Sequence, residues 1–156
     1  MNTIIDILKQ VAKESGIKRV YHGPRLEMAQ LLNLDATADI VSQPALFILQ
    51  DFRERVAGMR HIAELDLLIT VHGESIDVPN ESRQDVYKNI LYPLYETFMR
   101  NLRHNPNVTN IGEYTKIDRP KVSNALDAAN NSNVTVYNQL LDGIELLINP
   151  TFYITC

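Results

Sequence analysis

Apolar residues along the chain recur first at helical and then at strand spacing. Ile4, Ile5, Leu8, Val11 and Ala12 follow the 3.6-residue period, with Asp6, Lys9, Gln10 and Lys13 opposite them. This predicts an amphipathic helix over Thr3–Ser15, stopped by Gly16. Ile17–His22 alternates as a short strand, and Gly23-Pro24 marks a turn. Between Arg25 and Asp39, the residues Leu26, Ala29, Leu31, Leu32 and Leu34 fit either a short helix or an irregular packed loop. Pro44–Val56 reads as a long strand, apolar on both faces early and charged toward its end. After Ala57-Gly58-Met59 the chain returns through Arg60–His72, with Leu65, Leu67, Ile69 and Val71 on one face and Glu64, Asp66, Thr70 and His72 on the other. A long antiparallel hairpin follows, with one face buried and one wet. Its end carries Arg53, Glu54, Arg55, Arg60, His61 and Glu64, and so many charges predict an end that projects into water or onto a partner.

Gly73–Asn80 reads as a loop, and Ser82 with Asp85 gives a capping-box-like helix start. Val86, Tyr87, Ile90, Leu91, Leu94, Tyr95, Phe98, Met99 and Leu102 then form the apolar stripe of the main helix, which ends near His104-Asn105-Pro106. Pro93 lies in its middle, where it removes a backbone donor and predicts a kink or break. A strand is expected around Glu113–Ile117, and a weak helical turn over Ser123–Asn133 runs into an asparagine-rich loop. Closing strands are expected at Val134–Leu141, Ile144–Ile148 and Thr151–Thr155. Asp142-Gly143 is read as a hairpin turn between the first two, and Asn149-Pro150 as an interruption. These elements predict a single α+β domain over residues 1–156. It is an antiparallel or mixed sheet with a long hairpin, an N-terminal helix and one main central helix packed on it.

Composition narrows the function classes. With 156 residues, 45% hydrophobic and 22% charged, the chain falls in the ordinary globular range. Its net charge of -4 lacks the basic surplus of a dedicated nucleic-acid binder. Residues 1–78 carry 8 basic and 11 acidic groups and residues 79–156 carry 7 and 8, so no basic half is concealed. Cys156 is the single cysteine, which leaves packing rather than disulfides to hold the fold and fits a reducing compartment. The first residues lack the pattern of a secretory signal, and no run reaches the roughly 18 apolar residues of a membrane span.

Candidate chemistry is sparse. His61-Ile62-Ala63-Glu64 resembles half a metal motif, but residues three apart on a strand point to opposite faces. Asp51, Glu64 and Asp66 on paired strands offer carboxylates of the kind a metal-dependent nuclease or hydrolase uses to hold a cation. The lysine that one common nuclease pattern places two positions after its second acid is missing, and solvated carboxylates on the wet face are the favoured reading. His22, His72 and His104 are scattered, no serine sits in a Gly-x-Ser-x-Gly elbow, and the six glycines form no phosphate loop. Tyr87, Tyr95 and Phe98 are read as core. The expectation is a protein that is no enzyme and takes no cofactor or metal.

The order of the helix Thr3–Ser15, the hairpin Pro44–Val56 and Arg60–His72, the helix Ser82–His104 and the strands Val134–Thr155 resembles that of the tail-terminator and related neck or connector proteins of tailed bacteriophages. The likeness covers most of the chain as a pattern of elements and lengths, without a residue motif. The Arg25–Asp39 and Asn130–Asn133 stretches lie outside the pattern, which leaves terminator, head-completion and adaptor roles open. The resemblance implies a non-enzymatic virion component, made in the host cytoplasm, that forms rings of six or twelve copies and meets portal, neck and tail proteins, with no membrane partner. DNA would pass such a ring without specific binding, in keeping with the negative net charge. Arg53, Arg55, Arg60 and Glu64 are the expected contacts between subunits. A protein-binding adaptor that works by strand addition is a further alternative.

Overall fold

In a computed structural model, residues 2–23, 44–49, 52–72, 87–119 and 141–155 are described. The readings made for Arg25–Asp39, Asp51, Gly73–Asp85, Ser123–Asn133, Val134–Leu140 and Cys156 lie outside those residues. The protein is α+β, with helices α1 (Ile4–Glu14) and α2 (Tyr92–His104) and strands β1 (Arg19–Gly23), β2 (Ala45–Leu49), β3 (Arg53–Ala57), β4 (Arg60–His72), β5 (Val108–Thr109), β6 (Thr115–Arg119), β7 (Leu141–Ile148) and β8 (Thr151–Tyr153).

Helix α1 starts on a capping box: the Thr3 hydroxyl accepts from the Asp6 amide at 3.2 Å, and the Thr3 amide donates to the Asp6 carboxylate at 2.9 Å. These hydrogen bonds hold the Asp6 carboxyl below its ordinary pKa, with the Thr3 amide making the largest contribution. At the other end the Ser15 hydroxyl donates to Val11 O at 2.7 Å and accepts from Asn101 of α2 at 3.0 Å, tying the two helices together.

The thirteen residues of β4, about 40 Å at strand rise, form the spine of the sheet. Its C-terminal half is flanked by β2 and β7, and its N-terminal half by β3 and β8, all antiparallel. β1 pairs parallel with β2, β6 pairs antiparallel with β7, and β5 covers the outer side of β8. The predicted Pro44–Val56 strand is therefore two strands. Ile48 faces Leu67 and Arg53 faces Glu64, so the β2–β3 side advances two residues more than β4 across the break. β7 and β8 share one register, Leu65 facing Ile148 and Ile62 facing Thr151. They are interrupted where Pro150 has no amide to donate, although its carbonyl still accepts from Ala63 at 3.1 Å.

Leu65, Leu67 and Ile69 of β4 and Ile144, Leu146 and Ile148 of β7 are buried in one cluster with Ile7, Leu8 and Val11 of α1 and Phe98, Met99 and Leu102 of α2. Both helices thus cover the same face of the sheet, as the alternation along β4 predicts. The opposite face is less wet than expected. Thr70 is buried there, Ala45 faces it, and Tyr21 stacks on Phe47 at 4.9 Å between ring centroids, both rings buried.

Three further expectations need correction. Asp142-Gly143 is not a turn but lies inside β7, with Gly143 opposite Thr70. A Cβ on Gly143 would come within 3.0 Å of the Ile69 carbonyl oxygen and 3.1 Å of a Leu68 methyl, so the glycine serves close approach between strands rather than a reversal. The central helix is not α-helical throughout: Tyr87–Leu91 is a π-helical turn that runs directly into α2 through a helical Leu91, with Pro93 in the first turn of α2. The strand expected at Glu113–Ile117 lies two residues further on, and the two-residue β5 had no counterpart in the sequence reading.

Candidate assembly surface

The hairpin end is built by β3, β4 and the turn between them. Gly58 takes φ +64° as the first residue of the two-residue turn, and Met59 does not. This is the demand a type II′ hairpin turn makes, and it lets Ala57 face Arg60 directly. β8 runs beside β4 as far as Arg60, and the Ile154 amide donates to the Met59 carbonyl at 2.9 Å. One flank of the end is therefore paired. The other flank is open: among the described residues β3 pairs with β4 alone, and all five of its residues are exposed. Outward amides and carbonyls along such an edge are free to meet another chain.

Register sorts the side chains. Arg53 lies opposite Glu64, Arg55 opposite Ile62 and Ala57 opposite Arg60, so Arg53, Arg55, Arg60 and Glu64 share the face turned away from the helices. β8 adds Tyr153, opposite Arg60 and 38% exposed. None of the three arginines closes an ion pair among the described residues, not even Arg53 with the Glu64 it faces. The helix-side face of the same hairpin carries Glu54, Val56, His61 and Ala63. His61 Nδ1 lies 3.0 Å from Glu54 Oε2, so its partner is the carboxylate across the strand pair and not Glu64, which is on the other face. The half metal motif is thereby divided between two sides of the sheet, as the strand period requires.

Val56 on the helix-side face and Met59 at the turn, 61% and 60% exposed, add apolar area to the hairpin end. The sequence reading did not single them out. Their signal was apolar residues at a hairpin end beside arginines, the mixture of Arg and Met that interface cores favour. Glu64 is exposed and Asp66, two residues on, is half-buried, while Asp51 is outside the described residues. Among the described residues no three His, Cys, Asp or Glu side chains gather to hold a metal ion, and no helix is long and apolar enough to cross a membrane.

A second polar cluster joins α2 to β6. The Tyr92 hydroxyl donates to Asp118 Oδ2 at 2.5 Å, and Lys116, itself 2.9 Å from Asp118 Oδ1, lies 4.6 Å from the Tyr92 ring centroid and 5.7 Å from that of Tyr95. The Tyr95 hydroxyl bonds that of Tyr114, and the Arg103 guanidinium lies 5.9 Å from the Tyr114 ring centroid. Tyr95 is thus half-buried in a polar cluster rather than wholly core, whereas Tyr87 and Phe98 are buried as predicted. Three phenols on this side resist ionisation: Tyr87 through burial and the nearby Asp142 charge, Tyr92 chiefly through its bond to Asp118, and Tyr95 through burial and its bond to Tyr114.

No protein-family model matches the chain, and no curated protein matches it. Among solved structures, the Acinetobacter baumannii histidine kinase AdeS aligns at 11% identity with a TM-score of 0.27, covering 96% of this chain. The chain spans 64% of that kinase chain's length.

Proposed function

We propose that the protein is a structural subunit that assembles into a ring at the head-to-tail junction of a tailed bacteriophage virion, as terminator, head-completion protein or adaptor, and that it does no catalysis. The observation that carries the reading is the hairpin end, with its open edge strand β3, the unpaired arginines Arg53, Arg55 and Arg60 on one face, exposed Met59 at the turn and exposed Val56 on the other face. Desolvating three cations requires acidic partners. A two-fold contact through this patch would offer the three arginines of each copy only Glu64 as an acid on the facing patch, whereas a head-to-tail contact offers them a different surface of a neighbour whose net charge is -4. Repeated around an axis, that contact closes a ring. Portal, neck and tail proteins are its proposed neighbours, and the negative net charge lets DNA through the lumen without adhesion.

The test is sedimentation of the purified protein, alone and mixed with portal and tail proteins, against the Arg53→Gln/Arg55→Gln variant. The ring reading expects six or twelve subunits in the wild-type particle and dissociation toward monomer in the variant. A monomer under every condition contradicts it.

A further inference from the structure

Below the C-terminal half of α2, on the side of the sheet opposite the hairpin arginines, two open depressions meet at Arg103. One, of about 310 Å³, has Tyr95, Glu96, Arg100, Arg103, His104 and Tyr114 in its lining. The other, of about 390 Å³, lies between Arg103 and the Val108–Gly112 loop. Asn110 and Gly112 hold that loop in shape with φ of +54° and +59°, and the buried Ile111 anchors it between them. Arg100, Arg103 and His104 are all exposed, and none pairs with an acidic side chain among the described residues.

We infer that this groove binds an extended acidic peptide segment of a partner protein, with carboxylates two residues apart reaching Arg100 and Arg103. The spacing supports this reading. Side chains three apart on a helix stand about 5–6 Å from one another at Cβ. Alternate residues of an extended strand, which point the same way, are about 6.6 Å apart. An Asp-x-Asp segment therefore presents two carboxylates to the two guanidiniums at once. A guanidinium's planar donor fork suits that acceptor.

Arginine beside tyrosine also serves nucleic acids, but the charge around this groove favours a peptide. One face of each tyrosine ring is already taken by a cation, Arg103 over Tyr114 and Lys116 over Tyr95, and the rings meet each other edge-on at 6.5 Å. Glu96 lines the same depression, and the whole chain carries -4. A long polyphosphate would meet that repulsion along its length, whereas two carboxylates meet Glu96 alone and are outweighed there by Arg100 and Arg103.

The experiment is a fluorescence-anisotropy titration of the full chain with an end-blocked, fluorescein-labelled octapeptide containing Asp-x-Asp. Three controls accompany it: the same peptide with Asn for both Asp, competition by a single-stranded oligonucleotide, and the Arg100→Gln/Arg103→Gln and Arg53→Gln/Arg55→Gln variants, each shown to be folded by its thermal melt. The inference expects saturable binding that weakens about tenfold or more in the Asn peptide and in Arg100→Gln/Arg103→Gln, as the loss of charge-assisted hydrogen bonds implies. It expects Arg53→Gln/Arg55→Gln to bind as the wild type does, so the outcome is independent of ring formation. Absent saturation, equal binding by Arg100→Gln/Arg103→Gln, or displacement of the peptide by the oligonucleotide each overturns it.

Discussion

At the scale of single residues, Gly143 shows how one local signal points two ways. Asp-Gly between apolar runs is a strong turn signature, yet here the pair continues β7, and the missing side chain leaves room for the Ile69 carbonyl and the Leu68 methyl. What decided between the readings was the neighbouring strand's position, which no local window contains. Because the nearest obstacle is backbone, Gly143→Ala cannot be absorbed by a rotamer change. It should destabilise the fold by about 1–3 kcal/mol, read from the urea midpoint at unchanged slope. The hairpin arginines behave oppositely. They are exposed and unpaired, so Arg53→Gln/Arg55→Gln should leave the unfolding midpoint of dissociated protein within about 0.5 kcal/mol of wild type. A larger drop in stability would assign them to the fold rather than to contact with a partner. Their common face was legible in the sequence because strand period and hairpin register fix it, given Gly58 at the turn.

At the scale of elements, caps and prolines account for most of the boundaries. The Thr3–Asp6 box starts α1, and Thr3→Ala should cost about 1 kcal/mol in thermal or denaturant unfolding. The same box makes a pH prediction. Asp6 has a lower carboxyl pKa folded than unfolded, so its contribution is fully present above the unfolded pKa and disappears as pH falls through the folded one. The melting temperature of Asp6→Asn should therefore approach that of wild type as the solution is acidified below the ordinary aspartate range. A gap unchanged down to the acid limit would mean that the carboxylate does nothing for the cap. Pro150 breaks the β7–β8 ladder where its position in the sequence says it must. Pro93 was also visible as a disturbance, but not the π-helical turn just before it, which continues into α2 and buries Tyr87 and Leu91. Tyr87 donates to the Gly143 carbonyl at 3.1 Å, a contact between residues 56 apart in sequence that periodicity cannot reveal. The short β5 was hidden for a similar reason, since two residues have no period and β8 alone defines them as a strand.

At the scale of the molecule, the helices lie on one face of a sheet whose spine, β4, runs from the charged hairpin to the middle of the core. The amphipathic helices and the alternating β4 made this α+β arrangement legible from apolar spacing alone. The groove at Arg103 was not, because it joins the last turns of α2 to the Val108–Gly112 loop through backbone turns at Asn110 and Gly112. The chain of net charge -4 carries exposed arginines on opposite sides of the sheet, at the hairpin end and at the Arg103 groove. The hairpin surface carries the central claim, that the protein works as a ring subunit through head-to-tail contacts. Native mass spectrometry of the wild-type protein, alone and with portal and tail proteins, at low and high salt, tests it most directly. The account predicts a closed particle of six or twelve copies that loses subunits as salt screens Arg53, Arg55 and Arg60. A monomer throughout, or a dimer indifferent to salt, would contradict it.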